Sequence, residues 1–255
     1  MKIAVLSDVH GNLRALEAVL AHLDGIKPDA IVNLGDCVSG PLWPGETCDR
    51  LRALPAITVR GNHDRIVGQD APETMSRSDR FAYERTTGAQ RAWLRELPFE
   101  RELEGVWCFH ANPRDDMGYL VDEVVDGKLR LPSAELVQAR LGTAKRPVVL
   151  CGHSHQPRIV RLPGGVVIIN AGSVGWGAYV DAGPPWHVCE TGTPHTRYAL
   201  VTIGSGKVQV ESVALEYDWE DAAATALRHG RADWAHALRT GYVAPEVNQP
   251  GSPPQ

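Results

Sequence analysis

Six short apolar runs recur along the chain, and each breaks off in a polar cluster: KIAVLSD, AIVNLGD, AITVRGN, VWCFHAN, PVVLCGH and VVIINAGS. Runs this short, rich in β-branched residues and bounded by turn formers, read as strands covered on both faces rather than as helices. Between the first two, Asn12 precedes Leu13, Leu16, Val19, Leu20 and Leu23, which is helical spacing behind a capping side chain, and Gly25 and Pro28 stop it. That is a strand-helix-strand unit. Further helices are expected over 45–53, within 73–96 and over 133–141, so the expected fold class is a layered α/β (α+β) arrangement built on a central sheet.

The last third changes character. YALVTI and KVQVESVAL, joined by Gly204, Ser205 and Gly206, read as a hairpin, and two helices split by Gly230 follow. We expect one domain over 1–243, with the hairpin and helix pair from about 198, and a disordered tail over 244–255 because it is rich in Pro, Gly, Gln and Ser. The segment 175–195 is Gly- and Pro-rich without periodicity and is expected to be a loop bordering a site. A net charge of -5 gives no overall basic field, so nucleic acid and anionic membranes are not expected partners. No stretch approaches the roughly 18 uncharged apolar residues of a membrane helix. Five cysteines at wide spacing, with no C-x-x-C pair, point to a reducing cytoplasm.

The polar clusters hold Asp8 and His10, Asp36, Asn62 with His63 and Asp64, His110, and His153 with His155. Each follows an expected strand directly, and the carboxyl ends of parallel strands are where α/β sheets gather their ligands. Singly, an Asp or Asn after a strand is more often a cap or turn former. Together, so many buried polar groups would be costly without a shared partner, and a metal satisfies them at once. Carboxylates, imidazoles and an amide suit Mn, Fe(II), Zn or Ni better than calcium or a thiolate metal.

In that order, D-x-H, G-D, G-N-H-D, a lone His and G-H-x-H resemble the calcineurin-like metallophosphoesterase superfamily, and GDCVSGP, FHANPRDDMGYL and NAGSVG look more like its small bacterial and archaeal phosphodiesterase branch. The resemblance implies β-sandwich-like central sheets flanked by helices. It implies two divalent ions, one held by Asp8, His10, Asp36 and His155, the other by Asp36, Asn62, His110 and His153, with a bridging water that attacks as hydroxide. It also implies His63 as the acid that protonates the leaving oxygen. One departure matters: Ser39 and Gly40 stand where protein phosphatases and dinucleoside-polyphosphate hydrolases carry an acid or amide and an Arg. The orienting partner of His63 is therefore unassigned, and Arg114 is the expected phosphate contact.

The expected function is hydrolysis of a small phosphoester, a phosphodiester ahead of a monoester or phosphoprotein. A non-catalytic scaffold on the same fold and a nuclease are the other classes considered. His22, His187, His195, His229 and His236 have no motif context and are expected at the surface or in caps. Trp43, Trp176, Trp186 and Tyr179 lie in loops expected near the crevice, and Arg60 is as suited to an ion pair as to a phosphate. The apolar stripes within 222–227 and 234–238 are expected to pack a helix pair on the sheet. The sequence carries no code for an oligomeric state.

Overall fold

A computed structural model describes residues 1–69, 71–143 and 146–245. The chain runs β1 (Lys2–Leu6), α1 (Leu13–Ile26), β2 (Ala30–Asn33), α2 (Pro44–Arg52), β3 (Ala56–Thr58), α3 (Asn62–Gln69), a 3-10 turn (Pro72–Thr74), α4 (Arg77–Arg85) and α5 (Gly88–Glu96). It continues through β4 (Glu100–Leu103), β5 (Val106–Phe109), β6 (Glu123–Val125), β7 (Lys128–Arg130), α6 (Ala134–Leu141), β8 (Val148–Cys151), β9 (Arg158–Arg161) and β10 (Val167–Asn170). The last elements are β11 (Ala178–Asp181), β12 (His187–Glu190), β13 (Thr196–Gly204), β14 (Lys207–Leu215), α7 (Trp219–Arg228) and α8 (Ala232–Thr240).

Two five-stranded sheets, ordered β14-β13-β1-β2-β3 and β4-β5-β8-β10-β9, form the centre. In the first, β1, β2 and β3 run parallel. In the second, β5, β8 and β10 do. Alternation along β1 shows how the layers form, because successive side chains point to opposite faces. Ile3 and Val5 join Val32, Leu34, Val106, Val148, Leu150 and Ile169 in the core between the sheets. Ala4 and Leu6 face the other way, onto Leu16, Val19, Leu20 and Leu23 of α1. Helix α1 is capped as its sequence requires, Asn12 accepting from Ala15 N at 3.1 Å. On the outer face of the second sheet, Phe109, Val149 and Ile168 pack with Val137 and Leu141 of α6. The result is helices over two stacked sheets, with the carboxyl ends of β1, β2, β5 and β8 along one edge.

Segment 175–195 corrects the expected loop. It holds β11 and β12, paired antiparallel from Ala178↔Glu190 to Asp181↔His187, in a four-stranded sheet ordered β11-β12-β7-β6. Four-residue strands flanked by Gly and Pro carry too little alternation to register as strands; what stabilises them is a core with α7 and α8, including Tyr179, Val188, Trp234 and Leu238. His187, expected at the surface or in a cap, is buried here and its Nε2 lies 2.8 Å from Tyr119 Oη. The tail expected from 244 lies, after Pro245, outside the described residues.

Candidate metal centre

The backbone after each strand is bent sharply to turn its polar side chains inward. Among the described residues nine non-glycine residues have positive φ, and five of them are Asp8, His10, Asp36, His153 and His155, at 50° to 68°. This left-handed region is sparsely used by such residues and clusters at functional sites, where surrounding structure must hold it. Here the loops hold each other: Asp8 N donates to Gly35 O, His10 N to Asp36 O, and Gly152 N to His110 O, at 2.7 to 2.9 Å. The D-x-H and H-x-H spacings thus work as loop geometry beyond the strands, not as one face of a strand. Two glycines allow the loops to approach: a Cβ at Gly61 would overlap the Asp36 carboxylate, and one at Gly152 would overlap Ser7 and the Asp8 carboxylate.

The side chains fall into two groups, Asp8 with His10 and His155, and Asp36 with His110 and His153, within each of which one ligand atom per residue lies within 4.8 Å of the others. Asn62, at the start of α3, joins the second through its Oδ1, 3.1 Å from His110 Nε2. Asp36 lies between the groups, its Oδ2 at 3.3 Å from His110 Nε2 and 3.9 Å from His10 Nε2.

Each imidazole is oriented by a backbone carbonyl. Nδ1 of His10, His110 and His155 donates to Ser39 O, Leu34 O and Trp176 O at 2.8, 2.7 and 2.6 Å. That fixes the tautomer and turns the Nε2 lone pairs inward, the arrangement a metal-ligating histidine requires. His153 is reversed: its Nε2 donates to Met117 O at 2.7 Å, which leaves Nδ1 for the site. Acceptor then faces acceptor. His10 Nε2 lies 3.1 Å from His155 Nε2, which lies 3.3 Å from Asp8 Oδ1, a buried oxygen with no hydrogen-bond partner among the described residues. Lone pairs so close need a cation or a proton between them, and the mixed N and O donor set fits a borderline divalent ion.

Electrostatics agree. Burial opposes charge on Asp36 and His110, yet His110 and His63 hold the Asp36 carboxyl well below the usual carboxylate range, while Asp36 lifts His110 to about 9. Asp64, the last residue of G-N-H-D, belongs to neither group. Its carboxylate accepts from Asp36 N, Cys37 N and Gly61 N at 2.8 to 2.9 Å and so pins the loop after β2 to the start of α3.

Above the groups opens a cavity of about 620 Å³ lined by His10, Asp36, Asn62, His63, His153 and His155, with Ile66, Met75, Met117, Tyr119, Tyr179 and Val180 on its walls. Trp176 also lines it, whereas Trp43, Trp186 and Arg60 do not. Arg114 is not brought there either: its guanidinium donates to Ala139 O of α6 at 2.7 Å. No Lys or Arg stands among the described lining residues. His63 does line the cavity, with Nδ1 2.6 Å from the carboxylate of Asp79, a residue of α4 that sequence reading missed. The only signal for Asp79 was Ser76 three residues before it, an ordinary capping pattern.

A two-sheet sandwich with paired His/Asp groups at its carboxyl edge has the architecture of a metal-dependent hydrolase. The model of the calcineurin-like phosphoesterase superfamily domain matches residues 1–189, and the chain belongs to that superfamily. An uncharacterized protein of Methanocaldococcus jannaschii is 25% identical over 248 residues, 91% of this chain and 94% of that one. The crystal structure of a metallophosphoesterase from Sphaerobacter thermophilus shares the fold with a TM-score of 0.73 at 24% identity, over 94% of this chain and 99% of that one.

Proposed function

We propose that the chain hydrolyses small phosphodiesters, with two divalent ions held as the family resemblance implies: Asp8, His10, Asp36 and His155 for one, Asp36, Asn62, His110 and His153 for the other. The ions would supply Lewis-acid stabilisation of the phosphate oxygens and lower the pKa of a water to near neutrality. The protein's own part is orientation and proton supply. The carbonyls of Ser39, Leu34 and Trp176 set the imidazoles, Asp64 holds the Asp36 loop to α3, and His63, at the cavity wall, presents its Nε2 proton to the leaving oxygen. Burial opposes charge on His63, but Asp79 and Asp36 outweigh it and push the imidazole up to about 10, so the proton is on hand.

The observation that carries the choice of a diester is the absence of Lys and Arg among the described lining residues, with Asp181 on the wall instead. A dianionic terminal phosphate or a polyphosphate calls for cationic forks beyond the ions. A singly charged diester, with a second substituent lying against Met75, Met117 and Val180, does not. The five cysteines, buried and unpaired, suit a reducing cytoplasm, and among the described residues no helix is long and apolar enough to cross a membrane. The test is to load the purified protein with Mn and compare aryl phosphodiesters with aryl monoesters. Higher kcat/KM for diesters is expected; a preference for monoesters refutes the diester reading, and no metal-dependent turnover of either refutes hydrolysis.

A further inference from the structure

We propose that Asp79 is the positioning residue of His63, a carboxylate delivered from α4 in place of the acid or amide that the loop after Asp36 lacks. The inference rests on the reading of His63 as proton donor.

The geometry is that of a carboxylate made to hold an imidazole. Asp79 Oδ1 lies 2.6 Å from His63 Nδ1 and accepts from Ser39 Oγ at 2.7 Å, while Oδ2 accepts from Ser76 Oγ at 2.6 Å. The residue is 1% exposed. A carboxylate buried that deeply is costly unless its lone pairs are met, and these three donors meet them. With Nδ1 engaged, His63 is fixed in ring plane and proton placement, and its Nε2 is left toward the cavity. The logic is that of a carboxylate behind a catalytic imidazole in general.

Ser39 explains how the exchange is built. Its hydroxyl steadies Asp79, and its carbonyl accepts from His10 Nδ1 at 2.8 Å, so one residue braces both the proposed acid and a proposed ligand. The plainer role for Asp79 is helix capping, since its own N–H donates to Ser76 Oγ at 3.1 Å. Capping, however, uses the backbone N–H and needs no contact to an imidazole 16 positions away. Asp79→Asn keeps that cap and removes the charge, so it separates the two roles.

The experiment compares wild type, Asp79→Asn, His63→Ala and the double variant, each loaded with Mn, on aryl phosphodiesters with phenolate leaving groups of graded pKa. Acting through a proton donor, Asp79→Asn should lower kcat about 10²-fold for a phenyl leaving group and hardly at all for dinitrophenyl, with KM little changed. The double variant should be no slower than His63→Ala. As a readout apart from turnover, the long-range ¹H–¹⁵N spectrum of the metal-free protein should show a downfield His63 Nδ1 proton that Asp79→Asn abolishes. A loss equal across leaving groups, additive losses in the double variant, or a retained downfield proton would each overturn the proposal. If His63→Ala itself shows no leaving-group dependence, the reading of His63 fails instead. Should Asp79→Asn not fold, Ser39→Ala removes one donor from the carboxylate without touching α4. It should show the same dependence at smaller size, and its absence overturns the proposal equally.

Discussion

At Asp64 three backbone N–H groups converge on one buried carboxylate, and this contact sets the spacing between the second and third motifs. Asp64→Asn turns an amide –NH₂ toward donors that need an acceptor. It should cost about 1–3 kcal/mol of stability, the penalty of buried donors left unpaired, read from urea denaturation. Asp36 tests the centre itself. Asp36→Asn removes the charge between the two groups while keeping the shape, so bound metal should fall from two ions per chain to one or none by elemental analysis after reloading. Two ions retained with full turnover would refute a bridging role. Motif order alone pointed to the inward set, because Asp and His directly after apolar runs have few other reasons to be buried. Asp79 was illegible for a physical reason: its partner lies on another element, and nothing in S-x-x-D distinguishes a cap from a cap that also holds an imidazole. Arg114 shows the opposite error, since nearness in sequence to His110 does not aim a guanidinium, and this one is spent on the end of α6.

At the scale of elements, the helix pair beyond the family match bears directly on the centre. Trp234 of α8 stacks on Trp176 with ring centroids 4.0 Å apart and planes 11° apart, and Trp176 in turn lies against His10 and its carbonyl oxygen accepts from His155 Nδ1. Trp234 is 1% exposed. Trp234→Ala should therefore cost about 3–5 kcal/mol, as large-to-small changes at buried aromatics do. It should also weaken metal binding at the Asp8, His10 and His155 group by freeing the carbonyl that sets His155. Isothermal titration that finds unchanged metal affinity in a folded variant would show the two functions to be separate. The helix pair was legible as apolar stripes and the long hairpin as alternation. The β11–β12 pair was not, because its strands are four residues each and owe their order to a core made with helices that begin only at Trp219.

For the molecule as a whole, the question is whether the centre holds the fold or the fold holds the centre. The core between the two sheets is built from Ile3, Val5, Val32, Leu34, Leu150 and Ile169 without any of the proposed ligands. Small zinc domains, lacking such a core, unfold when stripped; this chain should not. Yet Asp8 and Asp36 are buried beside inward-facing imidazoles, with five left-handed residues to hold in place. Ions that bind only the native state add stability as RT ln(1 + [L]/Kd), about 2.7 kcal/mol for one site at a hundredfold excess over Kd. For a chain of this length that corresponds to a rise in melting temperature of roughly 5–11 °C. Chelation followed by dialysis should lower the melting temperature by about that amount while the far-ultraviolet circular dichroism at 25 °C stays unchanged, and Mn should restore it in a concentration-dependent way. Loss of secondary structure on chelation would mean that the fold depends on the centre, and a melting temperature indifferent to metal would mean that the two acceptor groups bind no ion.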